Sequence, residues 1–160
     1  MVDIEELRQI FLFKDLADEE LQKIAAVAEI EDVVPETVLF RENEKLDTFY
    51  LLLTGRVILS CRSPAGVDLT LSEVLPGGSF GVSAFIAETR SAATAVCVDP
   101  CRAITISGRK LADLFENDPG LGYSIMLRVV QLFKSRMNQR TEQFLRSMAR
   151  HPAVKSALSR

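Results

Sequence analysis

Residues 38–60 read VLFRENEKLDTFYLLLTGRVILS. Three apolar runs, Val38–Phe40, Phe49–Leu53 and Val57–Leu59, are separated by the turn-forming pair Glu42-Asn43 and by a single glycine, Gly55. The runs are short and rich in β-branched, aromatic and aliphatic side chains, which is the pattern of strands joined by tight turns. In RVILSCR (56–62), alternation puts Val57, Leu59 and Cys61 on one face and Ile58 and Ser60 on the other.

The same pattern extends in both directions. EIEDVV (29–34), ETVLFRE (36–42), VDLTLSEV (67–74), ATAVCV (93–98) and RAITI (102–106) are further strand candidates, punctuated by Pro35, Ser63-Pro64-Ala65-Gly66 and Pro76-Gly77-Gly78. About eight short strands at regular spacing predict a mainly β domain, a sandwich or a double-stranded, jelly-roll-like β-roll. Helical periods flank it. Residues 3–10 form a short helix, and LADEELQKIAAVA (16–28) places Leu21, Ile24, Ala25 and Ala28 on one face, with acids in the first turn where the helix dipole favours them. After Gly108 the helical period returns. RKLADLFEND (109–118) is one helix, stopped before Pro119, and residues 120–150 run on without an internal proline. In that long helix Met126, Val130, Phe133, Met137, Thr141, Phe144 and Met148 recur at spacings of three and four, the seam of a helix that packs along another helix. A helix of this length extends about 45 Å, more than one small domain covers. Pro152 ends the pattern, and the last residues are a short coda. The expected division is a β-roll with its helical lead-in over 1–119 and a dimerisation helix with tail over 120–160.

Composition bounds the function. The 160 residues suffice for one domain with a sizeable core, and 48% hydrophobic with 26% charged residues fits a globular chain. The longest apolar runs fall far short of a membrane span, and the acidic start MVDIEELRQI is no signal peptide, so cytoplasmic residence without a membrane partner is expected. Net charge is −3, unevenly spread: residues 128–160 hold eight of the 19 basic residues and one acid, Glu142. That basic segment reads first as the solvated flank of the long helix and second as a surface for a polyanion. His151 is the only histidine and stands in the tail, which disfavours Ser-His-Asp or Cys-His catalysis and histidine-held zinc. Cys61, Cys97 and Cys101 make an odd set with no disulfide framework. Cys97 and Cys101 straddle the Asp99-Pro100 turn and read as small strand side chains ahead of any metal or redox use. No enzyme, cofactor or metal is expected.

One stretch asks for a ligand. GGSFGVSAFIAETRSAAT (77–94) opens on a glycine-rich turn, passes through VSAFIAE, which suits a single helical turn, and ends on one arginine among small residues. The first N–H groups of that turn, on Val82, Ser83 and Ala84, have no helical carbonyls behind them and suit a phosphate. Arg90 or the Ser91 hydroxyl meets the same anion from the next strand.

The chain resembles the cyclic nucleotide-binding domain of the catabolite activator protein, of cyclic AMP-dependent kinase regulatory subunits and of cyclic nucleotide-gated channels, from about Ile10 to Met148. LFKDLADEELQKIA (12–25) is similar to the helical lead-in, VLFRENEKLDTFYLLLTGRVILS to the strand–turn–strand signature with Gly55 at its glycine, LPGGSFGVSAF (75–85) to the entry of the phosphate-binding cassette, and RSAATAV (90–96) to the arginine-led strand. The resemblance implies a β-roll flanked by helices and a C-terminal helix that dimerises. It also implies a non-enzymatic sensor of cyclic AMP or cyclic GMP, with Phe80, Gly81, Val82, Ser83, Ala84, Arg90, Ser91 and Ala92 as the ligand-binding set. Two departures stand out. Val82 occupies the position of the glutamate that binds the ribose 2′-hydroxyl. The family arginine falls on Ser91 if counted without a gap from Gly81, and on Arg90 if the cassette is one residue shorter. A buried hydroxyl without its acceptor costs about 1–3 kcal/mol, about one to two decades of affinity, so weak binding is expected. Asn43 replaces a common turn glycine, which asparagine's tolerance of left-handed backbone permits. By alignment on Pro119, Arg136 and Met137 fall near the family's base-covering helix, where their other reading is seam and flank. The family's transcription factors carry a helix-turn-helix after the long helix, and this chain reaches only Arg160, so DNA reading by this chain alone is not expected. The alternatives are a ligand-free dimerisation scaffold, or the sensor fragment of a longer transcription regulator.

Overall fold

The computed structural model describes residues 2–86 and 89–152. Ala87 and Glu88, which close the expected VSAFIAE turn, and residues 153–160 of the expected coda lie outside the described residues.

Two short helices lead in, α1 (Ile4–Arg8) and α2 (Asp18–Ala25). Asp3 caps α1 by accepting the Glu5 N–H at 3.0 Å, while Glu6 reaches back to the Asp3 N–H. Glu20 does the same for the start of α2, accepting from Ala17 N at 2.8 Å. Among the described residues eight strands follow: β1 (Ala28–Val33), β2 (Val38–Phe40), β3 (Thr48–Thr54), β4 (Val57–Arg62), β5 (Asp68–Val74), β6 (Ser79–Phe80), β7 (Thr94–Cys97) and β8 (Cys101–Ser107). A 3₁₀ turn, Val82–Phe85, stands between β6 and β7, and α3 (Gly108–Asn117) and α4 (Pro119–Arg150) complete the order.

The strands form two four-stranded antiparallel sheets, β1-β8-β3-β6 and β2-β7-β4-β5. This is the jelly-roll-like β-roll, with N-terminal helices and a long C-terminal helix, that the family resemblance implies, one of the two architectures left open by the strand spacing. Between the sheets Phe40, Tyr50, Leu52, Val57, Leu59 and Phe80 pack with Ala95 and Cys97. Tyr50 stacks almost parallel on Phe80 at 5.0 Å, and Phe40 leans on both rings. Such side chains each contribute about 1.5–3 kcal/mol by leaving water. Register shifts skip one residue in three places: Leu39 on β2, Leu53 on β3 and Leu71 on β5. These are β-bulges, which bend a strand and re-aim its side chains. Leu39 and Leu71 end up only partly buried at the margin of the inner core.

The first sheet is buried on both faces at β3, while its edge strand β1 exposes Glu29, Glu31 and Asp32. In β3, Phe49 through Leu53 are all buried. Phe49 and Leu51 pair across the ladder with Ile106 and Ile104, on the face away from the inner core. The helices cover that face: α2 touches β1, and α3 touches β8. Leu21, Ile24 and Leu111 are essentially inaccessible. The second sheet alternates instead. On β7 Ala95 and Cys97 are buried inward, while Thr94 and Val96 face the other way.

Internal contacts divide the chain between Gly122 and Tyr123 into two compact units, a boundary inside α4. The second unit is helical through Arg150. Ile125 and Val129 are buried, whereas Val130, Phe133, Met137, Phe144 and Met148 are exposed. Among the described residues no helix is long and apolar enough to cross a membrane.

Candidate functional site

The glycine-rich turn after β5 has a geometric cause. Gly77 has φ +88°. Its N–H donates to Leu52 O at 2.8 Å and its carbonyl accepts from Phe11 N at 2.9 Å, so the turn is tied to β3 and to the segment after α1. The chain then enters β6 and reaches Gly81, whose φ of +79° is left-handed. A Cβ there would lie 2.9 Å from the Thr48 carbonyl oxygen, so only glycine fits. That residue reverses the chain into the 3₁₀ turn Val82–Phe85, where Ala84 N donates to Gly81 O at 3.1 Å.

The turn is held on two sides. Phe85 packs on Phe49 with ring centroids 4.5 Å apart. Gly108, at the start of α3, meets it from the other side. A Cβ on Gly108 would sit 2.0 Å from the Ala84 carbonyl oxygen, so backbone lies directly on backbone. The same residue donates its N–H to Asp47 O at 2.8 Å.

The second arm of the site begins at Thr89. Its hydroxyl donates to the Ser83 and Ile86 carbonyls at 3.1 and 2.9 Å. The Ser83 hydroxyl crosses to the Arg90 carbonyl at 3.5 Å, joining the two arms. Arg90 bridges to Lys45, and its exposed guanidinium donates to the Asn43 carbonyl at 2.8 Å. Asn43 has the left-handed φ, +66°, that its replacement of a glycine requires. Ser91 is buried. Its hydroxyl donates to Ala93 O at 2.6 Å, and its backbone pairs with Asn43 and Glu44.

The predicted residues therefore sit in distinct environments. Phe80 is a core ring, Gly81 the hinge of the turn and Val82 a buried apolar side chain, while Ser83 and Ala84 are half-buried on the turn. Arg90 is exposed with donors to spare, Ser91 has its hydroxyl engaged, and Ala92 is exposed. The structure brings the turn and Arg90 together and turns the Ser91 hydroxyl inward. Sequence reasoning missed Gly108 as part of this site. Its only signal was a glycine at a strand-to-helix junction.

The cysteines are accounted for by packing. Cys97 and Cys101 are buried. Burial, reinforced by the neighbouring Cys101 thiol, pushes the Cys97 thiol up to about 12, so it stays protonated at neutral pH and is a poor nucleophile. Cys101 donates to the Asp99 carbonyl at 3.2 Å. Among the described residues no group of three or more His, Cys, Asp or Glu side chains is placed to hold a metal ion.

Comparison with known proteins agrees with this architecture. The family model for the cyclic nucleotide-binding domain matches residues 30–118. The chain belongs to this family. A crystal structure from Geobacter metallireducens GS-15, described as a cyclic nucleotide-binding protein, is 34% identical with a TM-score of 0.74, covering 86% of this chain and 99% of that one. A cyclic nucleotide-binding domain from Methylobacillus flagellatus KT superposes with a TM-score of 0.80 at 24% identity, over 93% of this chain and 84% of that one. The regulatory domain of Toxoplasma gondii PKA, solved with cAMP, shares the fold at 18% identity and a TM-score of 0.70, over 82% of this chain and 48% of that one. No curated protein matches. Membership makes this cyclic nucleotide-binding domain a regulatory binding module.

Proposed function

We propose that this domain is a non-enzymatic, cytoplasmic sensor that binds a cyclic nucleotide, cyclic AMP or cyclic GMP, weakly, and passes the signal through its C-terminal helix as a homodimer. The observation that supports it is the tie between the 3₁₀ turn and the Arg90 main chain through Ser83, which keeps the turn close in the fold to the residue that carries the guanidinium. A cyclic phosphate suits that pair. The partly buried Leu39, Leu71 and Ala84 offer an apolar rest for the base. Val82, apolar and buried, leaves the ribose hydroxyl without an acceptor, so affinity is micromolar or poorer. Arg90 rather than Ser91 is the phosphate residue in this reading, because the Ser91 hydroxyl is already engaged.

Dimerisation rests on the stripe Val130, Phe133, Met137, Phe144 and Met148, exposed along α4. Pairing it with the same stripe of a second copy removes it from water about a two-fold axis. By alignment on Pro119, Arg136 and Met137 fall near the family's base-covering helix, and a place in the dimer seam and its flank is their other reading. The second reading is a ligand-free dimerisation scaffold, and one observation favours it: Arg90 and Ser91 already have partners within the chain.

Calorimetry with cyclic AMP and cyclic GMP decides between them. Micromolar binding, lost in Arg90→Ala, reduced less in Ser91→Ala and improved in Val82→Glu, supports the sensor. No binding leaves the scaffold, and nanomolar binding in the wild type sinks the account of Val82. Light scattering tests the dimer: Phe133→Glu with Met137→Glu yields a folded monomer, and a wild type monomeric at tens of micromolar overturns it.

A further inference from the structure

The outer face of the second sheet carries a cavity of about 370 Å³. It lies behind the cassette strand. On β7, Ala95 and Cys97 are buried in the inner core, and Thr94 and Val96 line the cavity from the opposite face. Val38 and Val96 make an apolar floor, and the Ser60 and Thr94 hydroxyls stand beside it. Arg41 and Arg62 rise at its edge, both exposed.

Five other cations of the β-roll unit, Arg8, Lys23, Arg56, Arg102 and Lys110, are held by carboxylates. Among the described residues Arg41 and Arg62 have no such partner. The acids close to them are differently employed. Glu42 accepts the Arg62 backbone N–H at 2.9 Å, and its own N–H donates to the Thr94 hydroxyl oxygen at 3.0 Å. Glu44 accepts the Arg41 backbone N–H at 2.9 Å. Thr94 therefore keeps its hydroxyl proton for another acceptor. Asp68, opposite Arg62 in the β4–β5 ladder, is the one remaining carboxylate on the lining.

We infer that this groove is a second binding site, distinct from the cassette, for a small organic anion: a carboxylate or phosphate on an apolar body. The anion takes the two unpaired guanidiniums and the Thr94 hydroxyl, and the apolar part rests on Val38 and Val96. The cavity volume suits a molecule of one or two rings. Asp68 opposes the anion and limits affinity.

Cys61 lines the same groove and is half-buried, whereas Cys97 and Cys101 are buried, so its alkylation reads the local field. The full-length protein is treated with iodoacetate and with iodoacetamide, and carboxymethylated and carbamidomethylated Cys61 are followed by peptide mass spectrometry. The iodoacetate-to-iodoacetamide rate ratio at Cys61 falls about tenfold in Arg41→Gln/Arg62→Gln, as expected when local positive potential concentrates an anion, and rises in Asp68→Asn. Phenyl phosphate at millimolar concentration slows alkylation in the wild type and in Arg90→Ala, and leaves the double variant unaffected. A ratio unchanged in both the double variant and Asp68→Asn overturns the site. So does protection that disappears in Arg90→Ala and persists in the double variant, since phenyl phosphate then acts from the cassette.

Discussion

The two sheets are built from similar residues and serve opposite ends. The first sheet, β1-β8-β3-β6, is buried on both faces at its centre, where β3 holds five consecutive buried residues. The second, β2-β7-β4-β5, turns one face to the core and leaves the other open, so that β5 shows Asp68, Leu69 and Thr70 to solvent. A sheet closed on both faces is a platform that other parts are mounted on. A sheet with one free face can present different side chains on each side of a single strand, as β7 does with Ala95 and Cys97 on one side and Thr94 and Val96 on the other. The covering helices explain the asymmetry, since α2 and α3 pack on the first sheet.

Substitutions can break this contrast, and the largest effect belongs to the doubly buried sheet. Leu51→Ala, at a fully buried position, costs about 2–5 kcal/mol in urea unfolding. Ile58→Ala, on the half-buried outer face of β4, costs less than about 1.5 kcal/mol. Equal costs would mean that the second sheet is covered too. The next contrast compares glycines. Gly108→Ala forces a Cβ onto the Ala84 carbonyl and costs about 1–3 kcal/mol. Gly66→Ala, in the β4–β5 hairpin, meets open space and only a left-handed φ of +78°, for about 1 kcal/mol. If the order reverses, the contact between α3 and the 3₁₀ turn is not tight.

The smallest effect tests the helical cover. Lys23 of α2 pairs with Asp118, just ahead of α4, at 2.6 Å. The hydrogen bond from Lys23, with that from the Leu121 N–H, holds the Asp118 carboxyl below its ordinary value. A lowered folded-state pKa gives stability that is present above the unfolded value, about 3.9, and is lost as pH falls through the folded one. Between pH 5 and pH 2, Asp118→Asn should therefore show a slightly flatter decline in unfolding midpoint than the wild type. An identical slope would leave the pair without a role in acid stability.

Much of the fold was legible because its signals are local. The run TFYLLLTG and the lone Gly55 mark β3 and its turn, and Gly55 has the expected positive φ, +90°. Asp118 and Pro119 mark the break between α3 and α4. The bulges were not legible. RVILSCR alternates cleanly, but the shift that skips Leu71 lies on the partner strand, and nothing in either run alone records how two strands slip. The site was legible in part for the same reason. Gly81 and the turn after it follow from residue type, whereas the inward Ser91 hydroxyl and the Arg90 contact with Asn43 depend on residues 47 positions apart. Gly108 was unreadable as a site residue because its reason is a carbonyl 24 positions earlier in the chain.

That contact between Gly108 and Ala84 has a mechanical consequence. Most joints between a loop and a helix pass through side chains, which change rotamer and absorb small displacements. Here two stretches of main chain bear on each other with no side chain between them, and Gly108 is also pinned to Asp47 through its N–H. The joint has almost no backlash: a shift of the 3₁₀ turn by a fraction of an ångström must either move the first turn of α3 or open the contact.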